Sequence, residues 1–216
     1  MRKQYKLAIF LIILCLCFFV TGFNKNIQPQ NVKIGDYIKF GSYPQTSNGE
    51  VQPIEWQVLA REGNKILVIS KYGLDAKRFD DNSNDWASSE IRYWLNDKFY
   101  NKAFTEKEKK SINLSNLSDV GTSDKVFLLS KEEAENYFVN DKLRRCKATE
   151  YAVKKGAYIS DGSFGGEAGY SLWWLRSPNP YNDDDVYRVI SDGGIDNHYV
   201  VSLSNRVVRP ALWINL

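Results

Sequence analysis

Apolar positions recur with three different periods along this chain, and each period predicts a different element. Leu7 to Val20 is an unbroken apolar run of fourteen residues behind the basic lead Met1–Lys6. Ile54, Trp56 and Val58 then alternate with Glu55 and Gln57, the period of a half-buried strand. Glu62-Gly63-Asn64 turns the chain into the apolar run Lys65–Ser70, completing a hairpin with one buried strand. The middle of the chain changes to helical spacing, with Ile91, Trp94, Leu95 and Phe99 on one face behind the polar lead Asp85–Ser89. Thr105-Glu-Lys-Glu108 and Ser130-Lys-Glu-Glu133 both read as capping boxes, where a hydroxyl and a carboxylate satisfy the free amides of a helix start. Ala134, Tyr137 and Phe138 give the second of these helices its apolar face. Ala148, Tyr151 and Ala152 predict a further helix, with Lys154 and Lys155 at the negative end of its dipole and Gly156 closing it. Lys125–Ser130, between helices, is a short strand candidate. Past the glycine-dense stretch Ser160–Gly169, Val186–Ile190 and Ile195–Val201 flank Ser191-Asp-Gly-Gly194, a hairpin turn whose glycines supply positive φ.

Strands, then helices, then strands predict an α+β chain. Residues 32–216 read as a single globular domain with mixed or antiparallel sheets flanked by a central helical segment. The leading apolar run changes the context of that domain. A bilayer span takes ~20 apolar residues, so residues 1–22 read as a secretory signal peptide with cleavage before Phe23. Polar, amide-rich residues 23–31 read as a linker. An uncleaved N-terminal anchor is the alternative, and both readings place the domain outside the cytoplasm, secreted or held at the cell surface.

Charge follows from the leader. Removing Arg2, Lys3 and Lys6 from 29 basic residues leaves 26, against 26 acidic ones. The remaining domain is formally neutral, so no nucleic-acid partner is expected, and membrane contact is expected only through an uncleaved leader. Of three cysteines, two lie in the apolar run, leaving Cys146 alone; the domain is therefore expected to stand on an ordinary core without an internal disulfide.

Two Trp-bearing runs near the end, Ser171-Leu-Trp-Trp-Leu-Arg-Ser-Pro178 and Val207-Val-Arg-Pro-Ala-Leu-Trp-Ile-Asn-Leu216, each place an arginine close to a proline. Ile34–Gln45, Pro53–Leu59, Ile91–Asn96 with Phe99-Tyr100, and Val126–Ser130 precede them. These segments, in this order, resemble the bacterial family known as domain of unknown function 6273, over roughly residues 32–216. Asn179-Pro180 and Val208 stand where that family commonly has glycine, which bears on local turn geometry. The resemblance implies a C-type-lectin-like closing half and no established activity.

The chemistry available is limited. His198 is the single histidine, which rules out a metal site built on several imidazoles, and no Gly-x-Ser-x-Gly elbow accompanies it. Asp183, Asp184 and Asp185, with Asp192 nearby, form the densest carboxylate group; they are candidate calcium ligands, or else a solvated acidic turn. No other cofactor is expected. Thirteen Tyr and six Trp make ring contacts the main binding chemistry on offer. Trp56, Trp94 and Trp213 lie on periodic apolar faces and read as structural. A strand sends adjacent side chains to opposite faces, so one of Trp173 and Trp174 is expected to point outward. With Trp174 as that ring, the expected ligand surface is Trp174, Tyr181, Asp183, Asp184, Asp185, Tyr187, Asp192, Asn197, His198 and Tyr199. Arg176 and Arg209 are expected to tie the terminal strands together through carboxylates or carbonyls. The two tryptophan-bearing runs are expected to share one sheet, lifting the aspartate-rich span into water.

The expected function is an exported, non-catalytic recognition module for an extracellular glycan or protein ligand. An extracellular hydrolase using Asp or Glu with His198 and a structural surface-assembly subunit are the alternatives.

Overall fold

The computed structural model describes residues 31–216, excluding the side chains of Phe164 and Tyr199; the signal at 1–22 and the linker up to residue 30 lie outside the described residues. The alternation read at Ile54–Val58 extends in both directions. Strands β1 (Tyr37–Pro44), β2 (Val51–Glu62) and β3 (Lys65–Ser70) form an antiparallel meander, with Ile38 opposite Trp56 and Val58 opposite Val68. The short strand β4 (Asp75–Ala76) leaves this sheet.

The helical middle begins with a 3-10 turn at Trp86–Ser88, capped by the Asp85 carboxylate, and Ser89 then caps α1 (Glu90–Trp94). A π-helical turn, Leu95–Phe99, separates α1 from α2 (Tyr100–Ala103). Helix α3 (Glu106–Lys109) follows, and after the small hairpin β5 (Ser115–Leu117) and β6 (Thr122–Asp124) comes α4 (Lys131–Tyr137). Both capping boxes form, Thr105 with Glu108 and Ser130 with Glu133. Helices α5 (Asp141–Arg144) and α6 (Glu150–Lys154) complete the middle, and Gly156, at φ 97°, follows α6 as expected.

Lys125–Ser130 does not become a strand, although its apolar residues are buried. It keeps one isolated bridge, Phe127 to Ala211. Side chains take the place of a ladder here: Asn96 Oδ1 accepts from Lys125 N and Val126 N, its Nδ2 donates to Val126 O, and Arg176 Nη1 donates to Leu128 O. Buried backbone groups need partners, and they need not find them in a sheet.

The closing strands are β7 (Trp173–Pro178), β8 (Asp185–Val189), β9 (Ile195–Val200), β10 (Val207–Val208) and β11 (Ala211–Asn215). Two main sheets result, with orders β1-β2-β3-β11 and β4-β10-β7-β8-β9. All neighbours are antiparallel except β10 and β7, which run parallel with Val207 opposite Trp173. The two tryptophan-bearing runs therefore do not share a sheet as expected: only β10 lies beside β7, while β11 crosses over to pair with β3. Arg209 sits at that crossing, its Nε 2.8 Å from Ser70 O and its guanidinium 5.0 Å from the Trp173 ring centroid. Leu212 and Ile214 gain full burial by closing the first sheet, which is the physical reason the tail divides between the two.

The β8–β9 turn is seated against α5. Gly193 has φ 95°, and a Cβ there would lie 1.7 Å from the Asp141 carbonyl oxygen, so only glycine fits both the turn and the contact.

Candidate functional site

Two surfaces stand out, a rim loop between β7 and β8 and a cleft beside α1. The rim is built from asparagines. Asn179 Oδ1 accepts from Tyr181 N and its Nδ2 donates to Asn197 O, while Asn182 Oδ1 accepts from Asp184 N. Asn84, from the far side of the molecule's sequence, inserts its side-chain amide beneath the loop. Its Nδ2 reaches the carbonyl oxygens of Asn179 at 3.2 Å, Asn182 at 2.8 Å and Asp185 at 3.0 Å, and its backbone N–H donates to Asp183 O. Tyr181 stands on top of this clamp with 91% of its surface exposed. A ring held out by a loop that is already ordered loses little conformational freedom on binding.

The residues expected to form the ligand surface divide. Tyr181, Asp183, Asp184 and His198 are exposed, and Asn197 and Asp192 are half-buried. Asp192 shapes the turn, Oδ1 accepting from Gly194 N at 2.8 Å. Tyr187 is half-buried, with Lys131 Nζ 5.7 Å from its ring centroid. The backbone of Tyr199 pairs with Val186, and its ring lies outside the described residues. Asp185 is a correction: it is buried, and its carboxylate accepts from Asn182 Nδ2, so it faces the loop's interior.

Trp174 is a second correction. Both Trp173 and Trp174 are fully buried, because β7 is an inner strand covered on both faces. Trp173 Nε1 donates to Arg144 O; Trp174 Nε1 donates to Lys77 O, with its ring 6.2 Å from that of Phe79. Alternation sends them apart, yet neither direction leads to water.

Among the described residues no group of three or more His, Cys, Asp or Glu side chains is arranged to hold a metal ion.

Arg176 is 2% exposed, and both of its donor edges are occupied. Its Nε and Nη2 each lie 2.9 Å from an Asp119 carboxylate oxygen, and Nη1 reaches Glu133 at 2.6 Å. Desolvation works against its charge, but hydrogen bonds to Glu133 and Asp119 outweigh it and hold the guanidinium's pKa above the usual value. Arg209 meets carbonyls and the Trp173 and Phe138 rings, and burial lowers its pKa despite the opposing effect of Cys146. Trp56 is fully buried, and Trp213 is half-buried on β11.

The cleft, of about 770 Å³, was not legible from the sequence. One face of α1 and the π turn supply Glu90, Trp94 and Lys98, and the segment after β4 supplies Lys77 and Arg78. Trp94 packs against Phe99 at 5.4 Å between centroids, and Lys77 Nζ lies 4.6 Å from its ring centroid. Tyr93, also lining the cleft, is 60% exposed. Arg78 grips both Glu90 oxygens at 2.8 Å and also bonds Asp81. Apolar periodicity assigned Trp94 to the core; the ring does pack inward, but one part of it remains open to this cleft. Neither Lys77 nor Asn84 carries a sequence signal beyond a polar neighbourhood.

Two sheets with a helical middle and a clamped rim loop define a small α+β domain whose accessible chemistry is aromatic and charged. The chain belongs to the family described as domain of unknown function 6273, whose match spans residues 63–216. That match begins in the β2–β3 turn, so the earlier segments resembling the family lie before it. No curated protein and no solved structure matches the chain.

Proposed function

We propose that this chain is an exported, non-catalytic recognition module that holds part of an extracellular glycan or peptide in the Trp94 cleft, with the Tyr181 rim loop as a second contact. The cleft carries this reading: its volume of about 770 Å³ lies within the range of ligand sites, roughly 300–1,000 Å³. It also combines aromatic rings with cationic heads, a binding combination. The carboxylate of Glu90 is held on both oxygens by Arg78, which suits fixed positioning rather than proton transfer. Export rests on the leader at residues 1–22, and no helix among the described residues is long and apolar enough to cross a membrane. We read the closing half as C-type-lectin-like, with the antiparallel β7–β8–β9 run and its rim loop as support.

Glycan and peptide arrays, each run with and without calcium, test the proposal. The expected result is binding that Trp94→Ala removes and Tyr181→Ala weakens, with no turnover of the bound ligand. Binding that neither substitution changes, or no binding on either array, overturns it; a calcium-dependent signal would add the cation at Asp183 and Asp184.

A further inference from the structure

We propose that the ligand of the Trp94 cleft is a uronate-bearing saccharide, an inference that rests on the recognition reading above. Two ammonium groups point to the acid. Lys77 and Lys98 both line the cleft, and among the described residues the ammonium group of neither makes an ion pair or a hydrogen bond. The neighbouring cation, Arg78, is already committed to Glu90 and Asp81. Of the carboxylates that line the cleft, Glu90 is held by Arg78 and Asp97 accepts from Asn101 Nδ2, so the two ammonium groups outside those contacts keep places open for a negative partner. Lys77 is oriented as well as charged, since its ammonium stands over the Trp94 ring.

The rings point to the saccharide. A pyranose offers a flat C–H face that stacks on an aromatic surface, with its carboxylate at the ring edge. Tyr93, 60% exposed, supplies such a surface beside the two ammonium groups, and the part of Trp94 left open by Lys77 and Phe99 lines the same cleft. An acidic peptide fits less well. Peptides commonly bind by adding a strand to a free sheet edge, and the edge here, β4, is only two residues long. The amide of Ala76, which lines the cleft, is also already taken by the Asp75 carboxylate at 2.9 Å. The π-helical turn that contributes Lys98 is a type of irregularity frequent at functional sites.

Titration calorimetry of the chain with oligogalacturonate, oligomannuronate and hyaluronan oligosaccharides tests this, each beside its neutral methyl ester and with a poly-glutamate peptide as the acidic alternative. At least one uronate is expected to bind about tenfold more tightly than its ester, with the preference shrinking as salt is raised. Lys77→Gln and Lys98→Gln are each expected to weaken the uronate by about fivefold and to leave the ester unchanged. Trp94→Ala is expected to abolish both, with thermal melting confirming that each variant is folded. Lys98 is exposed, so its substitution reports on charge even if a buried variant fails to fold. An ester that binds as well as its acid, binding of poly-glutamate alone, or no binding by any uronate overturns the proposal. Trp94-dependent array hits on neutral glycans would then leave the recognition reading standing, whereas silence in both experiments removes both.

Discussion

The side-chain nitrogen of Asn84 lies 2.8 Å from the carbonyl oxygen of Asn182, across a sequence separation of 98 residues. One amide group ties the turn before α1 to the rim between β7 and β8. Because the same nitrogen also serves Asn179 and Asp185, its loss removes a donor from three carbonyls, of which Asn182 O keeps Asp185 N and Asp185 O keeps Asn179 N.

Asn84→Ala is expected to cost about 1–2 kcal/mol and to speed amide exchange through Asn182–Asp185. Asn84→Asp should be worse at neutral pH, since a carboxylate would face carbonyl oxygens where a donor stood. Native-state hydrogen exchange and urea titration check both; an aspartate variant as stable as the parent rules out the clamp.

Arg176 joins β7 to α4 through the carboxylate that also closes the Ser130–Glu133 capping box, because Glu133 Oε2 accepts from both Ser130 N and Arg176 Nη1. Arg176→Ala removes the cation from two partly exposed carboxylates and a donor from Leu128 O, and is expected to cost about 1.5–3 kcal/mol. Arg176→Lys cannot reproduce the fork on Asp119 and should recover only part of that loss. Asp119 is 40% exposed, so Asp119→Asn should cost less than about 1 kcal/mol. If lysine restores full stability in denaturant titrations, the fork geometry is irrelevant.

Glu108 connects α3 to β1, accepting from Thr105 N and Gly41 N. Burial pushes its pKa up, but the hydrogen bonds from the Thr105 hydroxyl and amide and from Gly41 outweigh this and leave it below the usual carboxylate value. A folded pKa below the unfolded one contributes stability that is fully present above the unfolded value of about 4.3 and is lost as pH falls through the folded value. Glu108→Gln should therefore flatten the decline in melting temperature below about pH 4 while lowering stability at neutral pH. A Gln variant with the parent's acid profile would contradict the assignment.

Cys146 is fully enclosed, and desolvation raises its thiol pKa although the Arg209 charge opposes the shift. Both the shielding and the scarcity of thiolate slow alkylation. The folded chain should resist iodoacetamide at pH 8 and react at the rate of a free thiol in guanidinium chloride, with the midpoint of labelling tracking unfolding. Rapid labelling without denaturant would show the site to be open.

Much of the fold was legible because its signals are local. The Ile54–Val58 alternation, the Thr105–Glu108 and Ser130–Glu133 capping boxes, and the glycine turn at Ser191–Gly194 depend on residues a few positions apart, and all of them formed. The strand expected at Lys125–Ser130 did not form because partners distant in sequence, Asn96 and Arg176, satisfied its backbone instead. Of the expected ligand surface, Tyr181, Asp183, Asp184 and His198 reach water, since turn chemistry and polarity favour exposure.

The sequence by itself determined the α+β order, the two capping boxes, the β2–β3 and β8–β9 hairpins and the family, because periodicity, caps and turns are set by near neighbours along the chain. Tertiary structure alone decided that both Trp173 and Trp174 are buried, that the tail divides between two sheets at Arg209, and that Lys77, Trp94 and Lys98 share a cleft. Strand alternation specifies which face a ring takes, but whether that face meets water depends on what the rest of the chain lays over it.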